Sequence, residues 1–358
     1  MGKGKKYLFC LIGPLFFAGF FLLGCEKTGE PGEIDRYYMT GSPQDRETLG
    51  DLFTLLADTS TPGEDQCALI REIANVYMRL KEYGKLIYFL SSRTNMFPGD
   101  PYNSYYLLMI AYAYMQQDAR PVAARYFDLI VKNYPDLTLM GESIHLACLN
   151  QLINLVDNPE QRVWYYQELI SRFPEKTNPG AAYFMLAQAY EQIGEWNGAI
   201  QAYTQYLPHV GTVVPGFPNA DTYAKQLVDF NNSPKDWTFE NLNVLVNTIK
   251  TALDGGSSAR LWQYRAKVNF FARSWEQGET DDSGMAEFNL SDFMRGNRIR
   301  YAGNLDAGSN ANEAYLRTWG WSQYISTWYL YLRKIYFPSD PEIHGRWEWA
   351  GVYYGEKF

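Results

Sequence analysis

Residues 179–203 have the sequence PGAAYFMLAQAYEQIGEWNGAIQAY, and this stretch decides how the middle of the chain folds. Four of its side chains are spaced i, i+3, i+4 and i+7 and therefore share one face of a helix: Tyr183, Leu186, Ala187 and Tyr190. Gly194 is typical of a turn, and a second helical pattern begins at Trp196. The stretch predicts two helices that pack closely as a hairpin because Ala187 and Ala199 face each other.

Related patterns precede this hairpin. Three prolines that each follow an aromatic residue stand 37 and 39 residues apart: Pro98, Pro135 and Pro174. When the chain is aligned on these prolines, Ala74 and Ala111 share one position, and Leu86 and Ala123 share another. Helix starts are predicted at three pairs of a capping residue and proline, at positions 100–101, 158–159 and 178–179. Recurrence at this period indicates a repeat array rather than an irregular helical bundle, which is the alternative.

These features resemble the tetratricopeptide repeat over about residues 65–210. The resemblance implies a solenoid of helical hairpins, whose first helices line a concave face that holds a peptide or protein partner. Four residues lie one or two steps from the core positions of those helices and are expected to meet the partner: Asn75, Arg79, Tyr112 and Gln188. The alternative is a solvated face without a partner.

A second region follows a break rich in proline and glycine at 208–220. It holds eight of the ten tryptophans, and we predict helices near 221–230, 238–253, 257–276, 289–302 and 311–337. The uncharged stretch 318–332 is predicted to be a central helix of this region, or alternatively an exposed helix that binds a partner. The expected fold is therefore all-α, a helical-hairpin solenoid followed by a Trp-rich, mainly helical region.

The N-terminus has the pattern of a secretory signal. Residues 1–6 are basic, residues 7–23 are apolar, and the apolar run ends in Leu22-Leu23-Gly24-Cys25. This ending resembles the bacterial lipobox, which implies cleavage before Cys25 and lipidation of its thiol. An uncleaved anchor is the alternative. The expected domains are a signal peptide (1–24), a lipid-anchored tether (25–42), the solenoid (43–210) and the Trp-rich region (211–358).

The lipobox and the repeats together resemble BamD-type lipoproteins, which assemble outer-membrane proteins. The resemblance implies a periplasmic scaffold that is anchored through Cys25 and binds other envelope proteins or peptides as partners. The periplasmic face of the outer membrane is the expected location. Two alternatives stay open: an accessory lipoprotein of a solute transport system with a ligand-binding cavity, and a protein that binds cell-wall glycans.

Composition and motifs argue against several other functions. The chain has a formal net charge of -8, which becomes -11 without the three lysines of the leader, so nucleic acid is not an expected partner. The three histidines lack metal-ligand spacing, and no nucleophile or nucleotide-binding motif is present. We therefore expect no catalytic residue, no metal site, no cofactor and no enzymatic activity. Cys67 and Cys148 are expected to be buried free thiols, with a disulfide as the alternative.

One basic stretch could form a small polar ligand site. Its residues are Arg295, Arg298, Arg300 and Glu313. Arginine suits bidentate binding of a carboxylate or phosphate. The alternative is that these arginines pack over aromatic rings and pair with nearby carboxylates.

Overall fold

The computed structural model of the protein describes residues 36–59, 62–139, 141–275 and 288–357. The chain divides into two compact units, residues 1–89 and 90–358, and the boundary falls inside a helix at residues 83–96. The expected domain boundary at residue 210 stays a prediction. The signal peptide and most of the tether lie outside the described residues.

Unit 1 is a small helical body. A short 3-10 turn at Arg36–Tyr38 is followed by α1 (Pro43–Asp58), α2 (Glu64–Leu80) and the first part of α3 (Tyr83–Met96). α1 begins with a capping box, because the Ser42 side chain accepts from the Asp45 amide and the Asp45 side chain accepts from the Ser42 amide. Tyr77 of α2 is fully buried, and its hydroxyl donates to the carbonyl of Tyr38 over 3.0 Å.

Unit 2 begins with three successive helical hairpins. Their helices are α4 (Asn103–Gln116), α5 (Arg120–Asn133), α6 (Ile144–Leu155), α7 (Pro159–Arg172), α8 (Pro179–Gln192) and α9 (Trp196–Tyr206). A two-stranded ribbon, β1 (Thr138–Leu139) and β2 (Glu142–Ser143), connects α5 to α6. The side chains of Asn158 and Asn178 cap α7 and α8, which confirms two of the helix starts expected from Asn-Pro pairs.

The hairpins pack through small and aromatic side chains. Ala187 of α8 and Ala199 of α9 are both buried, and the two helices lie against each other. The ring of Tyr190 lies over Gly198, where an added Cβ would stand 2.9 Å from ring atoms. Small residues let the helix backbones approach, and the aromatic rings fill the space between hairpins. The prediction of a helical-hairpin array is confirmed for this segment.

Both internal cysteines that the structure describes are buried thiols that form no disulfide, Cys67 in unit 1 and Cys148 in unit 2. The prediction of two buried thiols is therefore confirmed. Burial raises the pKa of the Cys148 thiol well above its usual range, because the thiolate would be poorly solvated. Cys148 therefore lacks the environment of a reactive thiol.

The all-α prediction is wrong, because a five-stranded sheet forms in the C-terminal region. Its strands are β3 (Phe271–Ser274), β4 (Arg300–Tyr301), β5 (Glu313–Trp319), β6 (Thr327–Lys334) and β7 (Trp347–Tyr354). The helices expected near 221–230 and 238–253 are present as α10 (Ala220–Asn232) and α11 (Leu242–Asp254). The other three expected helices are not: only the short α12 (Ser258–Trp262) and α13 (Leu290–Met294) form there, and the stretch 318–332 spans two strands and their turn.

The sheet has the order β3-β7-β6-β5-β4, with β3 parallel to β7 and all other neighbours antiparallel. β5 alternates between buried and more exposed residues, as a strand with one solvated face does. β6 and β7 have six consecutive buried residues each, so their pattern has no clear period of two. A strand that is buried on both faces has the same run of apolar residues as a buried helix, and this explains why the sequence predicts a helix over the stretch 318–332.

The two faces of the sheet have different roles. One face builds the core of the C-terminal region with Leu316, Leu330 and Val352, together with α11 side chains such as Ile249. Ala350 is the extra residue of a bulge, since Leu332 pairs with Trp349 and Tyr331 pairs with Gly351. The bulge keeps Trp349 on the core face and leaves Tyr353 on the opposite face.

Candidate functional site

Two of the four predicted partner-binding residues lie in unit 1. Asn75 is exposed on α2. Arg79 is also exposed, but its Nη2 donates to Asp45 Oδ1 over 2.7 Å. This hydrogen bond is the largest cause that lowers the pKa of Asp45 to about 2. Arg79 therefore joins α2 to α1, which leaves Asn75 as the better placed of the two to contact a partner.

The other two lie in unit 2. Tyr112 is half-buried on α4, with its ring edge-on to Phe127 at 5.6 Å, and burial raises the pKa of its hydroxyl. Gln188 is half-buried on α8, and its amide donates to the Tyr203 hydroxyl. Both side chains thus have partners inside the helical array. Their role in partner binding stays a prediction.

The structure does not bring the four residues of the expected polar ligand site together. Arg295, Arg298 and Arg300 are exposed around β4, and Arg300 pairs with Trp319 at the end of β5. Glu313 lies at the start of β5, six residues away, which is about 20 Å along a strand. Glu313 instead accepts hydrogen bonds from the Tyr331 hydroxyl (2.9 Å) and the Tyr315 hydroxyl (3.3 Å).

A cavity of about 220 Å³ lies where α8, α9 and α10 meet the chain that follows β6. We call it the Glu191 cavity. Its lining includes Gln188, one of the predicted residues, together with side chains that the sequence analysis did not assign to a site: Glu191, Trp196, Tyr223, Tyr336 and Ser339. All of these belong to unit 2.

Local sequence explains how α8 and α9 present this cavity. Asn178 caps the start of α8, and its Oδ1 accepts from the Ala181 amide over 3.1 Å. Gly194 takes a positive φ of 79° in the turn, which favours glycine and lets α9 begin at Trp196. Gln188 and Glu191 are three residues apart, so they share one face of α8.

α10 is held against this end of the array by Asp221. Its carboxylate accepts from the Tyr206 hydroxyl at the end of α9 and from the Gly211 amide over 3.0 Å. Tyr223, two residues further on, packs edge-on against Tyr203 with ring centroids 5.8 Å apart. These contacts place the Tyr223 hydroxyl over the carboxylate of Glu191.

Glu191 is the centre of a hydrogen-bond network. The Tyr223 hydroxyl contacts its Oε2 at 3.0 Å and its Oε1 at 3.2 Å. Tyr203 accepts from the Gln188 amide, and its phenol lies near enough to Glu191 to lower the pKa of that carboxyl. Hydrogen bonds therefore join α8 to α9 through Gln188 and α8 to α10 through Glu191.

Burial dominates the electrostatics of this network. Desolvation raises the pKa of Glu191 above its usual value, although the nearby Tyr203 and Tyr223 phenols oppose that shift. Desolvation and the neighbouring Glu191 raise the pKa of Tyr223 to about 12, so the phenol stays a proton donor at neutral pH. None of the described side chains that line the cavity is lysine, arginine or histidine.

The face of the sheet opposite the core carries a second feature, a cluster of aromatic rings. Its members are Phe271, Trp275, Tyr315, Tyr329, Tyr331 and Tyr353. Trp275 stacks on Tyr353 with centroids 4.2 Å apart and planes 8° from parallel. Lys357 Nζ lies 4.2 Å from the Tyr315 ring centre, and the Arg273 guanidinium lies 4.2 Å from that of Phe271. The rings are thus packed against one another and against two cations.

The described residues contain neither a metal-binding cluster nor a membrane-spanning helix. Within residues 36–59, 62–139, 141–275 and 288–357, no group of three or more His, Cys, Asp or Glu side chains could hold a metal ion. No helix in the same described ranges is both long enough and apolar enough to cross a membrane. Cys25 lies outside these ranges, so lipidation stays a prediction.

Comparison with known proteins identifies the repeats. The tetratricopeptide repeat family matches residues 105–137 and 181–207, which correspond to most of α4 and α5 and to most of α8 and α9. The chain therefore carries tetratricopeptide repeats, which imply protein partners and are typical of scaffolds rather than enzymes. No curated protein matches this chain.

Proposed function

We propose that this protein is a lipid-anchored scaffold in the bacterial cell envelope, where it holds protein partners at the periplasmic face of the outer membrane. The tetratricopeptide repeats carry the scaffold part of the proposal, because such arrays offer an extended surface for another chain. The ending Leu22-Leu23-Gly24-Cys25 supports the anchor and the location. A role in assembling envelope or outer-membrane proteins extends the same proposal.

The best single test is crosslinking from the surface where a partner is expected. A photoreactive benzoylphenylalanine at Asn75, which is exposed on α2, should capture an envelope protein in the living bacterium. The matched control places the same group at Gln201, which is exposed on α9, the second helix of its hairpin. First helices line the partner-binding face in such repeats, so Gln201 should capture much less.

Mass spectrometry of the crosslinked bands identifies the captured protein. An envelope protein that is captured from position 75 and recovered poorly from position 201 would support the scaffold. Equal capture from both positions, or no capture from position 75, would contradict it.

A further inference from the structure

The Glu191 cavity contains a carboxylate that forms no ion pair with any residue that the structure describes. The Tyr223 hydroxyl contacts both oxygens of Glu191, and this single donor leaves most of the roughly four acceptor positions of the carboxylate unfilled by described residues. The lining has no lysine, arginine or histidine among its described residues. Glu191 is half-buried, and a carboxylate that is partly removed from water without a cationic partner is unfavourable, so a bound cation would stabilise it.

The aromatic side chains that line the cavity also suit a cation. Trp196, Tyr223 and Tyr336 line it, and aromatic ring faces attract an ammonium or guanidinium group within about 6 Å. Ser339 also lines the cavity, and its buried hydroxyl makes no hydrogen bond to any described residue. Tyr336 is 78% exposed, which leaves this wall open to an incoming group.

The size of the cavity indicates one side chain as the occupant. Its volume of about 220 Å³ is below the roughly 300–1,000 Å³ of sites that enclose drug-sized ligands. A long side chain with a terminal charge fits a small cavity whose lining combines apolar side chains such as Leu227 and Phe337 with the carboxylate of Glu191. The chain's net charge of -8 favours a basic partner further.

We propose that the Glu191 cavity binds a lysine or arginine side chain presented by a protein partner. The cationic head lies over the aromatic walls and forms a charge-assisted hydrogen bond with Glu191, while the aliphatic stem contacts Leu227 and Phe337. The inference rests on the scaffold function and gives the chemistry of one contact with the partner.

The test uses the full-length protein labelled with 5-fluorotryptophan, because Trp196 lines the cavity and reports on its occupancy by fluorine NMR. Trp196→Phe assigns the resonance. The probes are three capped pentapeptides with glycine at four positions and lysine, arginine or glutamine at the centre. We expect a saturable shift of the Trp196 signal with the lysine and arginine peptides and none with the glutamine peptide.

Two variants separate the charge of Glu191 from its shape. Glu191→Gln keeps the size and an oxygen that accepts from Tyr223, so the fold should persist, but it removes the charge-assisted contact. The dissociation constant for the lysine peptide should rise about tenfold or more. Glu195→Gln is the matched control, since Glu195 is exposed and does not line the cavity. It should leave the dissociation constant unchanged.

Three results would overturn the proposal. They are the absence of a saturable shift with the cationic peptides, an equal shift with the glutamine peptide, and unchanged affinity in Glu191→Gln. Tighter binding of n-butylammonium than of either cationic peptide would also overturn it, since the occupant would then be a small solute. Crosslinking from Asn75 does not depend on this cavity. A negative result with the peptides would therefore contradict only the cavity proposal, whereas the absence of crosslinking from Asn75 would contradict the scaffold function.

Discussion

At the scale of single residues, Gly351 on β7 shows how tightly the aromatic cluster is packed. A Cβ at this position would stand 2.6 Å from an atom of the Phe271 ring, closer than carbon atoms can approach. We expect Gly351→Ala to lower the free energy of unfolding by about 1–3 kcal/mol, because the ring must move away from Tyr353 and Tyr331. Urea unfolding followed by tryptophan fluorescence measures the loss. Gly303→Ala is the control, since nothing lies within 4 Å of its added Cβ. Equal unfolding midpoints for the two variants would show that Phe271 moves at no cost.

At the scale of elements, the α8–α9 hairpin depends on the small side chains between its helices. Ala187 is fully buried, so Ala187→Arg both overfills the contact and buries a charge. We expect a loss of about 3 kcal/mol or more in the free energy of unfolding, and a melting temperature lower by about 6 °C or more. Gln201→Arg adds the same side chain at an exposed position of α9 and should leave the melting temperature nearly unchanged. Calorimetry of both variants checks the contact, and a wild-type melting temperature for Ala187→Arg would refute it.

At the scale of the whole molecule, the proposed anchor decides where the protein works. Cys25→Ser should abolish labelling by radioactive palmitate and release the protein from membranes, because a hydroxyl cannot replace the thiol that carries the lipid. Cys10→Ser is a matched control, since Cys10 lies in the expected leader and would be removed with it. Labelling and membrane fractionation of both variants give the answer. Undiminished labelling of Cys25→Ser would rule out the proposed anchor.

The repeat hairpins could be predicted from sequence because their contacts are local. Ala187 and Ala199 are twelve residues apart, and the caps and turns that shape their hairpin lie between or beside them. The helical period, the Asn-Pro helix starts and the glycine turn therefore all agreed on one structure. The buried thiol of Cys148 followed from the same reasoning, since a small apolar residue suits the inside of such a hairpin.

The sheet and the Glu191 cavity depended on the tertiary structure. β6 becomes a strand because β5 and β7 satisfy its backbone hydrogen bonds on both sides, and burial of both its faces removes the alternation that marks a strand. Glu191 obtains its setting from Tyr223 and from Tyr336, which is 145 residues further along the chain. The sequence by itself determined the helices, caps and turns that form through contacts between residues close together in the chain. Contacts between distant segments decided the rest, because their free energy arises only when the whole region has folded.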